Sequence, residues 1–562
     1  MRPAGETKGP TARRPFSWGP RALFVLLVAL AAPAMFAFAW QHGIATVGDD
    51  SVSYLVLARH FAPGPDPLVE PWVAWRATFP PLFPLVLAWT GASRNLLLAH
   101  LVVAAFALLA LYPLWRLAAR ELGSEAGGVA VAALFLLTPN AWIGMKGILS
   151  EPMFLFVSLA TLLHYSRRLA PGRGSRGAWL AFGVLLACCY LTRAAGGALV
   201  VAFAVHALLR WRAAPRRALW PVVLALAPVA VLVGLWLVLR PAGHADIYRT
   251  TGGRLAHAWL QEPLLNARYA AHIFLDGWVS SFVAQSAVGA LPKFLLAAFG
   301  VLALAGAARK AFRNRLDGWY VLASATITFF WVFSEENTRR LLYPLVPLAI
   351  LQTAELLLAA CRRFGLRRYR AAVLLLAAAL PGAACLPADV VLAEKAQERS
   401  PVMPYSHYAY ADIVDFYTTI NFGNARAEAA HTLAVLAGLE SLSHATPPGA
   451  RIMWMRPEYI AVLGDREGVP FYFAWDARRL EREILRSHVD YVVLSWVYKA
   501  DMDSVEGDPV PLLSGIGAYS SLVVRFDNAA IGGPAFLLVK VDRARLEAIV
   551  RAQARPGAQP RG

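Results

Sequence analysis

The feature that most constrains this chain is the repetition of apolar stretches long enough to cross a bilayer, separated by short arginine-rich connections. A spanning helix needs about 20 apolar residues. The first candidate, Arg21 to Trp40 (RALFVLLVALAAPAMFAFAW), has that length and follows basic residues. Its core exceeds the roughly 7–15 apolar residues of a signal peptide and further spans follow, so it reads as an uncleaved first helix. The others run roughly over 95–115, 127–140, 149–166, 178–192, 194–209, 218–239, 292–308, 317–333, 341–360 and 371–388, which makes eleven. Composition agrees: 58% hydrophobic, 16% charged and a mean hydropathy of +0.49, against roughly 45–50% apolar and about 25% charged in soluble domains. A soluble enzyme is excluded.

The 54 Lys and Arg outnumber the 36 Asp and Glu, for a net charge of +18. Such a balance suits a nucleic-acid partner only where the cations form one surface. Here they cluster between apolar runs: Arg2, Lys8, Arg13, Arg14 and Arg21 at the start, then Arg116/Arg120, Arg167/Arg168/Arg173/Arg176, Arg210/Arg212/Arg216/Arg217, Arg309/Lys310/Arg313/Arg315 and Arg362/Arg363/Arg367/Arg368/Arg370. Reading 127–166 and 178–209 as hairpins puts every cluster on one face, the pattern of cytoplasmic loops. The charge then reflects topology and anionic-lipid contact, with no nucleic acid. Cys188, Cys189, Cys361 and Cys385 lie in or beside apolar runs at no metal-ligand spacing, so neither structural zinc nor a disulfide framework is predicted.

Three larger pieces fall on the opposite face: 41–94, 240–291 and 389–562. The predicted fold is mainly α, a polytopic membrane helical bundle over 1–388 with a C-terminal extracytoplasmic α/β domain over 389–562 and the N-terminus in the cytoplasm of a bacterial inner or plasma membrane. In that domain 450–455 (ARIMWM), 490–494 (DYVVL), 521–526 (SLVVRF) and 535–541 (AFLLVKV) read as strands. Residues 477–487 and 542–552 have helical spacing, and the polar, aromatic segment 400–445 is expected on the membrane surface. There is no internal repeat and no Gly-rich phosphate loop.

Ionisable residues gather at the outer face. Asp49 and Asp50 follow the first span, Lys146 and Glu151 lie at one hairpin tip, Arg193 at the other, and Glu335, Glu336, Arg339 and Arg340 fill the gap before 341–360. Short hairpin arms place such tips below the membrane surface, where charges are costly and face a polar cavity or a partner. Each also has a plain reading. Arg193 and Lys146 can snorkel to headgroups, Arg339 and Arg340 can anchor at the interface, Glu151 can pair locally with Lys146, and His60 reads as interfacial. An Asp ahead of the stretch SVSYLVLARHFA can cap a helix. An adjacent pair permits division of labour, one capping and one acting as general base, or a shared divalent ion.

The segment GDDSVSYLVLARHFA, followed by ATFPPLFPLVLAWTGA at 77–92, resembles the opening of the GT-C superfamily of polytopic glycosyltransferases that use polyprenyl-phosphate sugars. Further echoes are Leu149-Ser150-Glu151-Pro152, Leu191-Thr192-Arg193 and Arg339-Arg340-Leu341-Leu342-Tyr343-Pro344. The segments MRPEYIAVLGDREGVPF and HVDYVVLSW are similar to the outer domain of bacterial protein-mannosyltransferase-like and lipopolysaccharide-sugar-transferase-like members. The resemblance implies an extracytoplasmic site, transfer with inversion, and a donor whose prenyl tail lies in the bilayer. The acceptor is a lipid, a polysaccharide or a protein. It matches Asp49, with Asp50 beside it, to the catalytic acidic position and Tyr54 to the tyrosine a few positions on. One departure is Phe79, where aminoarabinose-transferase relatives have Lys before Pro-Pro-Leu. The donor-phosphate contact of that Lys is then absent or supplied elsewhere; Arg76, Arg193, Arg339 and Arg340 are the available cations, and a leaving phosphate that gains charge in the transition state calls for one. The resemblance implies no certain cofactor; the divalent ion that Asp49 and Asp50 could share is the one the residues themselves permit. The alternative class is a transporter or a flippase for lipid-linked glycans, which typically shows inverted repeats and broken mid-membrane helices.

Overall fold

The computed structural model describes residues 19–41, 49–64, 66, 68, 79–145, 147–169, 174–213, 215–240, 247–283, 289–331, 335–366, 368, 382, 385, 422–471, 476–495, 515–528 and 532–553. In chain order the helices of the apolar part are α1 (Pro20–Gln41), α2 (Asp49–Phe61), α3 (Leu82–Trp89), α4 (Leu96–Leu122), α5 (Glu125–Leu136), α6 (Pro139–Ile143), α7 (Glu151–Arg168), α8 (Arg176–Thr192), α9 (Gly197–Ala213) and α10 (Pro215–Leu239). They continue with α11 (Ile247–Gln261), α12 (Pro263–Ser280), α13 (Ala290–Phe312), α14 (Leu316–Phe330), α15 (Glu335–Leu342) and α16 (Val346–Arg363).

Ten of the eleven predicted spans fall on helices, and the eleventh, 371–388, lies almost wholly outside the described residues. Among the described residues five stretches are long and apolar enough to cross a bilayer: Pro20–Ala39, Leu96–Leu122, Trp220–Leu239, Ala290–Phe312 and Asn337–Arg363. The chain is a membrane protein. Boundaries differ from the sequence reading where a terminator intervenes. Asn95 caps α4 by accepting from the Leu98 N–H, and Gly123 closes it at φ +65°, a conformation that favours glycine. The run 194–209 opens with a 3₁₀ turn, Ala194–Gly196, before α9, and the span expected from 341 opens with Tyr343–Leu345 because Pro344 removes a donor. The outer segments 41–94 and 240–291 carry α2, α3, α11 and α12 rather than loop alone.

Packing is close. α4 lies along α7, and α8 along α10, where a Cβ on Gly183 would come 2.4 Å from the Ala225 carbonyl oxygen. At the arginine-rich end, Lys310 of α13 reaches Glu121 of α4 (3.1 Å), Asp317 of α14 (2.6 Å) and Glu355 of α16 (2.5 Å), with a side chain only 3% exposed. Arg315 joins Glu121 at 2.6 Å and Arg309 stands 3.9 Å from Glu355. Three acids and three bases cancel, which is how charge so deep in a bundle becomes tolerable.

The C-terminal part adds α17 (Phe422–Ala445), β1 (Arg451–Trp454), α18 (Pro457–Leu463), β2 (Glu467–Pro470), α19 (Ala477–Arg486), β3 (Tyr491–Leu494), β4 (Ser520–Asp527), β5 (Pro534–Val541) and α20 (Arg543–Gln553). The sheet order is β2-β1-β3-β5-β4; β1 runs parallel to β2 and β3, and β5 antiparallel to β3 and β4. The four predicted strands and two helices are present within a residue or two, and β2 is additional. Of the segment 400–445, residues 422–445 form α17, which buries Leu433, Leu436, Leu439 and Leu442 and lies against β4 and β5, while 400–421 lie outside the described residues. The predicted boundary at 388/389 falls outside the described residues.

Candidate active site

Three chain segments far apart in sequence converge at the N-terminal end of α7. Pro152 presets the first turn of that helix, and Glu151, 1% exposed, sits where the unpaired backbone N–H groups favour a carboxylate. Arg193 is the residue that ends α8, in an extended conformation, at the end of a helix that favours a cation. Its Nη1 forms an ion pair with Glu151 Oε2 at 2.7 Å. Arg340, on the last turn of α15, donates through Nε to Glu151 Oε1 at 2.7 Å and through Nη2 to Asp50 Oδ2 at 2.5 Å. The result is a chain of alternating charge: Asp50, Arg340, Glu151, Arg193.

The first turn of α2 is held against this chain by two serines. Ser51 Oγ accepts from the Ile148 N–H at 3.0 Å, and the Tyr54 hydroxyl meets Ser150 Oγ at 2.8 Å, with Arg193 Nη1 3.5 Å from the same oxygen. The Tyr54 ring stacks on Phe79 (4.5 Å) and meets Phe83 edge-on (5.0 Å). Phe79 therefore occupies the place beside Tyr54 as an apolar wall, and charge there comes from α8 and α15. Ser51 and Ser150 were not among the sequence candidates. The signal for Ser150 was its position just ahead of a Glu-Pro helix start.

Exposure separates the members. The Glu151 side chain is 2% exposed and both its oxygens face arginines, so it serves as the bridge. It pairs with Arg193 at the end of α8 and Arg340 of α15; Lys146, the local partner the sequence offered it, lies outside the described residues, as does Arg76. The Asp50 side chain is 29% exposed, the most open of the four. Arg339 is buried on the same helix as Arg340 but the bonds that build the chain of charges come from Arg340. Asp49 begins α2, and Glu335 and Glu336 begin α15; their side chains lie outside the described residues. Among the described residues no three His, Cys, Asp or Glu group as a metal site.

The far end of α2 meets the C-terminal domain. Arg59 Nη1 donates to the Ala461 carbonyl at the end of α18 (2.8 Å) and Nε to the Ser93 carbonyl (3.2 Å), with Asp66 at 3.8 Å. Burial holds the Arg59 guanidinium below its usual range and His60 below the usual imidazole value, which fits a neutral interfacial side chain.

No protein-family model matches the chain, and no curated protein is similar to it by sequence. Solved structures do match. The oligosaccharyltransferase of Archaeoglobus fulgidus in its apo form is 14% identical, covering 92% of this chain and 74% of its own, with a TM-score of 0.54. The same archaeal protein, AglB, bound to an inhibitory peptide and a dolichol-phosphate is 13% identical over the same shares, at 0.51. ArnT of Cupriavidus metallidurans bound to undecaprenyl phosphate is 15% identical and covers 94% of this chain and 98% of its own, at 0.50. The chain shares the fold of these proteins, an apolar helical bundle with a C-terminal domain.

Proposed function

We propose that this chain is a membrane glycosyltransferase that moves a sugar from a polyprenyl-phosphate donor to an extracytoplasmic acceptor with inversion. One observation carries the reading: the Asp50–Arg340–Glu151–Arg193 chain stands where α2, α7, α8 and α15 meet, in a fold shared with a protein solved with undecaprenyl phosphate. In this reading Arg193 and Arg340 hold the donor phosphate and stabilise it as it departs with added negative charge. Glu151 orients both guanidinium groups. Asp49 or Asp50 takes the acceptor proton as the nucleophile attacks the anomeric carbon from the face opposite the phosphate. Arg339 and Arg76 are further candidates for the donor phosphate, and Tyr54, Lys146, Glu335 and Glu336 for the cavity wall.

Binding the donor then requires Arg340 to share itself between Asp50 and the phosphate, so donor arrival loosens the carboxylate that is to accept a proton. A divalent ion bridging Asp49 and Asp50 is the other role open to the pair, and loss of activity in EDTA, restored by one metal, would favour it. Purified protein in proteoliposomes, given a polyprenyl-phosphate sugar and envelope acceptors, should release polyprenyl phosphate and glycosylate one acceptor class. Movement of the lipid-linked substrate between leaflets without sugar transfer would establish the transporter reading instead.

A further inference from the structure

At the arginine-rich end of the bundle, away from the proposed catalytic cluster, a small cavity of about 190 Å³ opens where the end of α4, the start of α5 and the end of α7 meet. Arg116, Arg120, Ser124, Glu125 and Arg167 line it. Arg116 is tied in place: Nη1 bonds Glu125 at 2.8 Å and the guanidinium lies 5.0 Å from the Trp115 ring centre, while its Nε is buried with no hydrogen-bond partner. Arg120 and Arg167 are exposed and make no ion pair among the described residues. Three guanidinium groups against one carboxylate leave two positive charges unanswered. From the mouth, the same face of α4 continues as Tyr112 and Leu109, each 51% exposed, at the helical spacing that puts 109, 112, 116 and 120 on one side.

We propose that this cavity binds the phosphate of an anionic phospholipid of the cytoplasmic leaflet, with an acyl chain lying along Tyr112 and Leu109. The cations meet the phosphodiester at headgroup depth, and the apolar stripe leads directly from them into the hydrocarbon. A zwitterionic headgroup brings its own ammonium to a site that already carries two uncancelled positive charges, so it is disfavoured. Free phosphate gains nothing from the stripe.

Native mass spectrometry of the whole protein in detergent, titrated with phosphatidylglycerol, phosphatidylcholine or inorganic phosphate, tests this. One phosphatidylglycerol should be retained at least tenfold more tightly than phosphatidylcholine. The Arg120→Gln/Arg167→Gln variant should lose roughly ten- to a hundredfold of that affinity, and Arg120→Lys/Arg167→Lys should keep most of it, since a lipid phosphate accepts point charges. Both pairs are surface positions, and an unchanged melting temperature reports that the variants fold. Equal retention of the two lipids, phosphate competing as well as phosphatidylglycerol does, or an unaffected Gln variant would each overturn the proposal.

Discussion

Replacing Arg340 by Gln separates a donor-binding role from an anchoring one. The guanidinium makes two charge-assisted bonds, to Glu151 at 2.7 Å and to Asp50 at 2.5 Å, from a side chain 17% exposed. Removing the charge takes the four-residue cluster from neutral to one net negative charge. Breaking a fully buried pair costs about 3–5 kcal/mol, but Asp50 is 29% exposed and can be rehydrated. The stability loss should therefore stay near the lower end of that range. The catalytic loss is a separate quantity. One charge-assisted bond to phosphate is worth about 1.5–3 kcal/mol, so kcat/KM for the donor should fall roughly ten- to a hundredfold. Lys keeps the charge but cannot bond Asp50 and Glu151 in one plane, so it should restore only part. The assay is sugar transfer in proteoliposomes over a donor titration, run well below each variant's melting temperature. An interfacial anchor would tolerate Lys fully and leave donor dependence unchanged. A Gln variant within twofold of the parent in kcat/KM would refute the phosphate role.

The carboxylate pair parts the base reading from the cap reading, because Asn caps as well as Asp but takes no proton. We expect Asp49→Asn to lose roughly a hundredfold or more in turnover and Asp50→Asn less, and an active double Asn variant would remove the pair from the mechanism. Lys310→Met should destabilise by about 3–5 kcal/mol by leaving Asp317 and Glu355 without their ammonium, while Lys310→Met/Asp317→Leu should recover much of it; thermal melts in detergent decide, and a stable single variant would refute the clamp. For topology, single cysteines at Arg168 and Leu366 should resist an impermeant reagent added outside, and those at Glu262 and Arg486 should react. Labelling of Arg486→Cys only after permeabilisation would reverse the orientation.

Hydrophobic length and loop charge made the bundle legible because both are local properties of the chain. Partnership was not local. Arg340 lies 290 residues from Asp50 and 189 from Glu151, and nothing in either neighbourhood specifies which of Arg339 and Arg340 turns toward them. The helical offset of about 100° between adjacent residues decides it, and that depends on how α15 packs on α12. Strand β2 was missed because Glu467-Gly468-Val469-Pro470 has the composition of a turn. It is a strand through backbone pairing with β1, and Gly468 allows the Pro457 carbonyl a close approach. α17 was missed because its apolar residues face a sheet whose existence had to be known first.

The two ends of α2 meet different parts of the molecule, and this ties the C-terminal domain to the proposed catalytic region mechanically. The ten residue steps of helix from Asp49 to Arg59, whose guanidinium meets the Ala461 carbonyl, span about 15 Å. A helix of that length is stiff, so a shift of the domain along it is transmitted as a shift of the carboxylates. The domain is then no detachable module for recognising acceptors. A chimera that exchanges it between related chains has to carry the residues facing Arg59 along with it, and an acceptor that moves α18 alters the position of the proposed base before its own hydroxyl or amine arrives there.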